Sequence, residues 1–179
     1  MYWGAGCGGC DVSLLDIDAA ILDVHALANV VFWPIGFDTK LEQLEAMPDD
    51  SITIGFYNVA IRNSENEHVA NILRAKSKKL IPFGVCATHG GIPGLANITR
   101  AKDVLNTVYT KTASTPNPQG TIPAPSSQVK EGELTLPEFY DHVYPLDEIV
   151  DVDYSMPGCP PEVSLISKAL DIIIKHLTE

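Results

Sequence analysis

The sequence predicts an α/β domain, in which strand-like apolar runs alternate with helical patterns and line up in a mostly parallel sheet with helices on both faces. Three observations carry the prediction. Val30-Val31-Phe32-Trp33 is a short apolar run stopped by Pro34, the pattern of a strand buried on both sides. Ser51 to Tyr57 alternates and continues into Val59-Ala60-Ile61, and Leu80 to Val85 forms a further run. Between these runs the apolar residues recur at helical spacing.

Taken in order, Met1-Tyr2-Trp3 reads as the end of a short strand, and a helix is expected from Asp11 to about Leu27. Val12, Leu15, Ile17, Ala20, Ile21, Val24 and Leu27 fall mostly on one side of it. Phe37 to Ala46 is a short helix or a turn. Asn63-Ser64-Glu65-Asn66-Glu67 caps a helix running to about Lys79, with acids at its positive end and Arg74, Lys76, Lys78 and Lys79 at its negative end. Gly90-Gly91 and Gly94 bracket a loop, and Asn97 to Val108 is expected to be helical. Residues 109–130 are rich in Thr, Pro, Ser and Gln and read as a long surface excursion. A helix or turn is expected at Leu146–Ile149, a strand at Val150–Tyr154 and a closing helix from Glu162 to Leu177, with Pro161 in its first turn.

The 179 residues, 45% of them apolar, suit one domain with a single substantial core. A net charge of −11 argues against nucleic acid and anionic lipid as partners. No apolar run approaches the length of a membrane span, and no signal peptide is visible, so a cytoplasmic protein is expected. Four cysteines without a secretory signal fit metal or redox chemistry better than a disulfide framework.

Those cysteines are the centre of the functional reading. Cys7 and Cys10 flank a glycine-rich turn at a helix N-terminus, where thiolate pKa values are expected to fall. Cys86 and Cys159 each follow an expected strand, so all four thiols should gather at the C-terminal edge of one sheet. Thiol–disulfide exchange would use Cys7 and Cys10 alone and leave the other two unexplained. Structural zinc usually draws on two close pairs, and only one is present. An iron–sulfur cluster accepts single thiolates from distant parts of a chain. Gly4-Ala5-Gly6-Cys7-Gly8-Gly9 formally matches a dinucleotide fingerprint, but the expected second strand ends in Phe32-Trp33-Pro34 and lacks the acid that would hold a ribose.

Together, Cys7-Gly8-Gly9-Cys10-Asp11-Val12-Ser13, Gly84-Val85-Cys86-Ala87, Gly90-Gly91-Ile92-Pro93-Gly94 and Pro157-Gly158-Cys159-Pro160-Pro161 resemble the small subunit of nickel–iron hydrogenases. The likeness is to the methyl-viologen-reducing type associated with heterodisulfide reductase, and Val59 to His68 and Leu136 to Tyr140 fit that group as well. The resemblance implies a flavodoxin-like domain in which Cys7, Cys10, Cys86 and Cys159 ligate one proximal [4Fe–4S] cluster. It also implies two partners, a large subunit that carries the nickel–iron centre and turns over H2, and a further iron–sulfur or flavin subunit as electron acceptor. Members of this type usually continue into a cysteine-rich segment with two more clusters, whereas the last cysteine here is Cys159. Either the electron wire is shortened to one cluster or the next acceptor belongs to another subunit, and a truncated sequence would look the same. The related complex I subunit ranks second, because it typically carries adjacent cysteines in place of Cys-x-x-Cys. By the same resemblance Glu65 and Glu67 lie near the large-subunit interface, as part of a proton path or simply as dipole partners. His89, close to Cys86, is either a hydrogen-bond tuner of the cluster or a solvated loop residue.

Overall fold

The computed structural model describes residues 4–178, so the strand expected at Met1–Trp3 lies outside the described residues. The chain begins with α1 (Gly9–Ser13), a 3-10 turn at Leu15–Ile17 and α2 (Ala20–Leu27). These replace the single helix expected from Asp11 to Leu27. The interruption falls at Asp18, whose φ of 54° lies outside the right-handed helical region. The apolar stripe survives the break, because Ile17, Ile21 and Val24 still pack into one cluster.

Val30–Trp33 is not a strand. Phe32 and Trp33 are buried as expected, but the backbone of Trp33 is satisfied by the following turn. Its N–H donates to Thr39 Oγ1 at 3.1 Å, and its carbonyl accepts from Gly36 and Phe37 N–H. Burial of an apolar run thus needed no neighbouring strand.

After α3 (Leu41–Glu45) come β1 (Ile52–Tyr57) and β2 (Ile61–Asn63), separated by the buried residues Asn58, Val59 and Ala60. Helix α4 (Ser64–Lys76) starts where its cap predicts, with Asn63 Oδ1 accepting the Asn66 N–H at 2.8 Å. It stops at Lys76 because Ser77 already opens β3 (Ser77–Pro82), which pairs in parallel with β1. Short helices α5 (Val85–His89) and α6 (Gly91–Gly94) follow, so the glycine-rich loop is wound into a turn. The helix expected over Asn97–Val108 is divided among a 3-10 turn at Leu95–Ile98, α7 (Ala101–Asn106) and a π-helical turn at Thr107–Lys111. Strands β4 (Ser126–Val129) and β5 (Gly132–Thr135) form a hairpin whose residues are all exposed, at the end of the surface excursion. Strand β6 (Phe139–Tyr144) runs antiparallel to β2, and α8 (Val163–Thr178) closes the domain.

The strand expected at Val150–Tyr154 is also absent, although this segment does run beside β3. Asp153 N–H donates to Leu80 O at 3.0 Å, Met156 N–H to Pro82 O at 3.0 Å, and Gly84 N–H to Met156 O at 2.7 Å. What breaks the ladder is the Asp153 side chain, which itself takes the Leu80 N–H at 2.9 Å. The mostly parallel sheet expected from sequence is therefore one parallel pair, β1–β3, beside two antiparallel pairs among the described residues.

That parallel pair divides two apolar clusters. On one side Tyr57 and Leu80 meet Val69, Ala70 and Leu73 of α4 together with Leu146. On the other, Ile54, Phe56, Ile81 and Phe83 meet Ile21 and Val24 of α2 and Ile166 and Leu170 of α8. Phe56 and Phe83 pack edge to face with centroids 5.7 Å apart. The chain leaving β3 at Phe83 is thereby anchored just before the cysteine loops.

Candidate metal centre

Three hydrogen bonds stitch the loops beyond the parallel pair into register. Phe83 N–H donates to Tyr57 O at 2.8 Å, Gly84 N–H to Met156 O at 2.7 Å and Val85 N–H to Gly158 O at 2.6 Å. Ala60 N–H donates to Ala5 O at 3.1 Å, which fastens the N-terminal turn to the same edge. As a result Cys7, Cys10, Cys86 and Cys159 line one pocket of about 60 Å³, together with Gly8, Gly9, Asn58, Val85, Gly158 and Pro160. All four are free thiols; Cys86 is buried, Cys10 half-buried, Cys7 and Cys159 exposed. Drug-sized ligands and organic cofactors need pockets several times larger, so the space suits a compact inorganic guest.

Two glycines make the convergence possible. Gly84 has a φ of 89°, and a Cβ built there would collide with Cys10 Sγ. Gly91, at φ 52°, would bring a Cβ within 2.9 Å of the Cys86 backbone and sulfur. At both places a side chain would have to occupy the space of a thiol. Backbone donors also turn toward sulfur, with Gly9 N–H 3.4 Å from Cys7 Sγ and Ile92 N–H bonded to Cys86.

The electrostatics reverse one expectation. Burial, reinforced by the neighbouring Cys86, Cys7 and Cys159 and by Asp11, pushes the Cys10 thiol up to about 12. Burial also raises Cys86, against the opposing Ile92 N–H. The helix dipole cannot offset this, because α1 has only five residues. Cys10 is therefore poorly suited to act as an attacking thiolate itself. Four crowded thiols ionise together only around a cationic guest, which is what thiolate-bound metal supplies.

The donor set also bears on the size of that guest. Among the described residues no group of three or more His, Cys, Asp or Glu converges tightly enough for a single ion. Four sulfurs around one zinc would sit about 3.8 Å apart, from the usual Zn–S length and tetrahedral angles. A multi-iron cluster draws its thiolates to different corners, so four thiols around one pocket can hold it without converging on a single ion.

Sequence reasoning missed the residues behind the thiols. Asp11 is buried at 1% exposure and accepts from Trp33 Nε1 at 3.0 Å and from Asn58 Nδ2. Burial raises its carboxyl pKa, and the two hydrogen bonds oppose the rise. An acid directly after Cys10 is the available signal, but its place in a first helical turn points only to the helix dipole. His89 pairs its Nδ1 with Thr88 Oγ1 at 2.7 Å and does not line the pocket. Glu67 accepts from Tyr140 OH at 2.6 Å, whereas Glu65 lies in a separate open groove with Arg62 and Phe139.

Residues 7–173 match the family model for the NADH ubiquinone oxidoreductase, 20 Kd subunit. The chain belongs to that family. It is 44% identical over 170 residues to the iron-sulfur subunit of the F420-non-reducing hydrogenase of Archaeoglobus profundus, covering 94% of this chain and 53% of that one. With the delta subunit of the NAD-reducing hydrogenase HoxS of Cupriavidus necator it shares 29% identity, over 94% of this chain and 74% of that one. A chain in the crystal structure of an NAD+-reducing [NiFe]-hydrogenase in the H2-reduced state superposes with a TM-score of 0.81 at 30% identity. The superposition covers 96% of this chain and 87% of that chain. The expected likeness to hydrogenase subunits is thus found, and this chain spans about half the length of the Archaeoglobus relative. No helix among the described residues is long and apolar enough to cross a membrane.

Proposed function

We propose that this chain is the electron-transfer subunit of a nickel–iron hydrogenase-type complex, with Cys7, Cys10, Cys86 and Cys159 holding one [4Fe–4S] cluster. The observation that carries the reading is that these four thiols, dispersed over the sequence, line one small pocket in a chain similar to hydrogenase subunits throughout. Such a cluster, when bound, takes up and releases one electron at a time. The chain's own residues hold it by four thiolates, leave it room at Gly84 and Gly91, and offer Gly9 and Ile92 N–H groups to the sulfurs. On this reading a large subunit with the nickel–iron centre docks where Cys7 and Cys159 are exposed, and a further iron–sulfur or flavin subunit accepts the electrons, all in the cytoplasm. The domain is flavodoxin-like on the same reading, with its parallel core reduced to the β1–β3 pair among the described residues.

The test is iron, sulfide and zinc content of the singly expressed chain, reconstituted anaerobically, with an EPR spectrum after dithionite. About four irons per chain and one reduced-cluster signal are expected. Cys159→Ser, at an exposed position, should leave the fold intact and abolish stable iron binding. Stoichiometric zinc, or iron binding unchanged by Cys159→Ser, would overturn the assignment.

A further inference from the structure

Asp11, Trp33 and Asn58 form a buried chain that ends at the thiol pocket. Trp33 Nε1 can only donate, so its 3.0 Å bond commits Oδ1 of Asp11 as an acceptor. The other carboxylate oxygen accepts from Asn58 Nδ2. Asn58 is 3% exposed and lines the pocket with all four cysteines. Its Oδ1 is buried and has no hydrogen-bond partner. An orphaned buried carbonyl is costly, and turning the amide over would leave two acceptors facing each other at Asp11. Asp11 therefore dictates how the Asn58 amide is turned, and it commits one Nδ2 N–H to itself, withholding that donor from the sulfurs.

We propose that Asp11 is a positioning residue that locks the Asn58 side chain beside the four thiols and, through that amide, sets the reduction equilibrium of the group they hold. The inference rests on the iron–sulfur reading above. A hydrogen bond to a cluster sulfur stabilises the more negative, reduced state, so withholding Asn58 Nδ2 keeps the reduction potential low. With Asp11→Asn the new side chain can donate to Asn58 Oδ1, which frees Nδ2 to turn toward the pocket. The potential should then rise.

The test is an EPR-monitored redox titration of the reconstituted chain as wild type, Asp11→Asn, Asn58→Ala and the double variant, with iron per chain measured on each. The expected result for Asp11→Asn is a shift of about tenfold in the one-electron equilibrium toward reduction, about 59 mV. In the Asn58→Ala background Asp11→Asn should shift nothing further, because the amide through which it acts is gone. If Asp11→Asn moves the potential equally in both backgrounds, Asp11 acts by its own charge and the proposal is wrong. Wild-type iron content with no shift in Asp11→Asn also overturns it, and so does an Asp11→Asn chain that folds but binds no iron. Should Asp11→Asn fail to fold, Asp11→Ala releases the Asn58 amide by removing its acceptor and must raise the potential in the wild-type background but not in Asn58→Ala, or the proposal fails. A wild-type chain without iron overturns the cluster assignment, and this inference with it.

Discussion

The segment from Asp151 to Cys159 runs beside β3, and its two ends are finished differently. At the near end Asp153 accepts from Arg74 at 2.7 Å, from Lys79 at 2.8 Å and from the Leu80 N–H at 2.9 Å. Every oxygen of that carboxylate is engaged by a cation, and its pKa lies well below the usual carboxylate range. At the far end the same two segments deliver Cys86 and Cys159 into a pocket where burial raises the Cys10 and Cys86 thiols and the Asn58 carbonyl has no partner. One end is electrostatically complete in the chain alone, and on the reading proposed above the other is completed by a positively charged guest. On that reading the contrast separates what folds the domain from what it holds.

The sharpest way to break this contrast is to fill the space of a thiol. Gly84→Ala places a Cβ on Cys10 Sγ at a φ of 89°, and we expect it to abolish iron binding and cost about 2–4 kcal/mol. Gly120→Ala is the control: its φ of 66° imposes a backbone cost of about 1–2 kcal/mol, but nothing lies within 4 Å of the added carbon. Urea unfolding and iron content of both variants separate backbone strain from loss of the pocket. If Gly84→Ala retains full iron, the close approach to Cys10 is not part of the site.

The four thiols were legible because each sits in a glycine- or proline-marked context that follows an apolar run, and such positions converge beyond a parallel pair whatever the rest of the sheet does. Legibility failed where backbone groups found local partners. Trp33 looks like a strand residue because burial and strand pairing usually coincide, yet the turn through Gly36, Phe37 and Thr39 satisfies it. Asp153 looks like one alternating residue of a strand, and no spacing reveals that its side chain would take the Leu80 N–H. Asp11 is visible as an acid beside a cysteine, but its partners Trp33 and Asn58 lie 22 and 47 residues away and only the folded chain joins them.

At the finished end, Asp153→Asn should destabilise the domain by about 1–2 kcal/mol at pH 7, a figure discounted because Lys79 is half exposed. Iron content should be unchanged. The pH dependence follows from the depressed carboxyl: its contribution is complete above about pH 4, the unfolded value, and drains away as pH falls below that toward the lower folded pKa. Urea unfolding of both proteins at neutral pH and near pH 3 should therefore show the gap between them narrowing in acid. A gap that stays constant would mean that geometry rather than charge makes the pin.

The smallest effect belongs to another closed pair, which joins α4 to β6. Tyr140 OH donates to Glu67 at 2.6 Å, and that bond, with some burial, pushes the phenol up to about 12. Here the folded pKa is raised, so the pair contributes fully below about pH 10 and its contribution is lost as pH rises through the folded value. Because Tyr140 is only partly buried, Tyr140→Phe should cost about 0.5 kcal/mol at neutral pH. Of the six tyrosines, this one should ionise late in an ultraviolet titration of the folded chain, and Tyr140→Phe should remove one phenol from the late component, leaving the buried Tyr57 in it. Iron binding should be untouched, as for Asp153→Asn, since neither residue lines the thiol pocket. If Tyr140→Phe instead lowered iron content, the β2–β6 pair would be coupled to the cysteine edge, and the division between a finished and an unfinished end would have to be redrawn around α4.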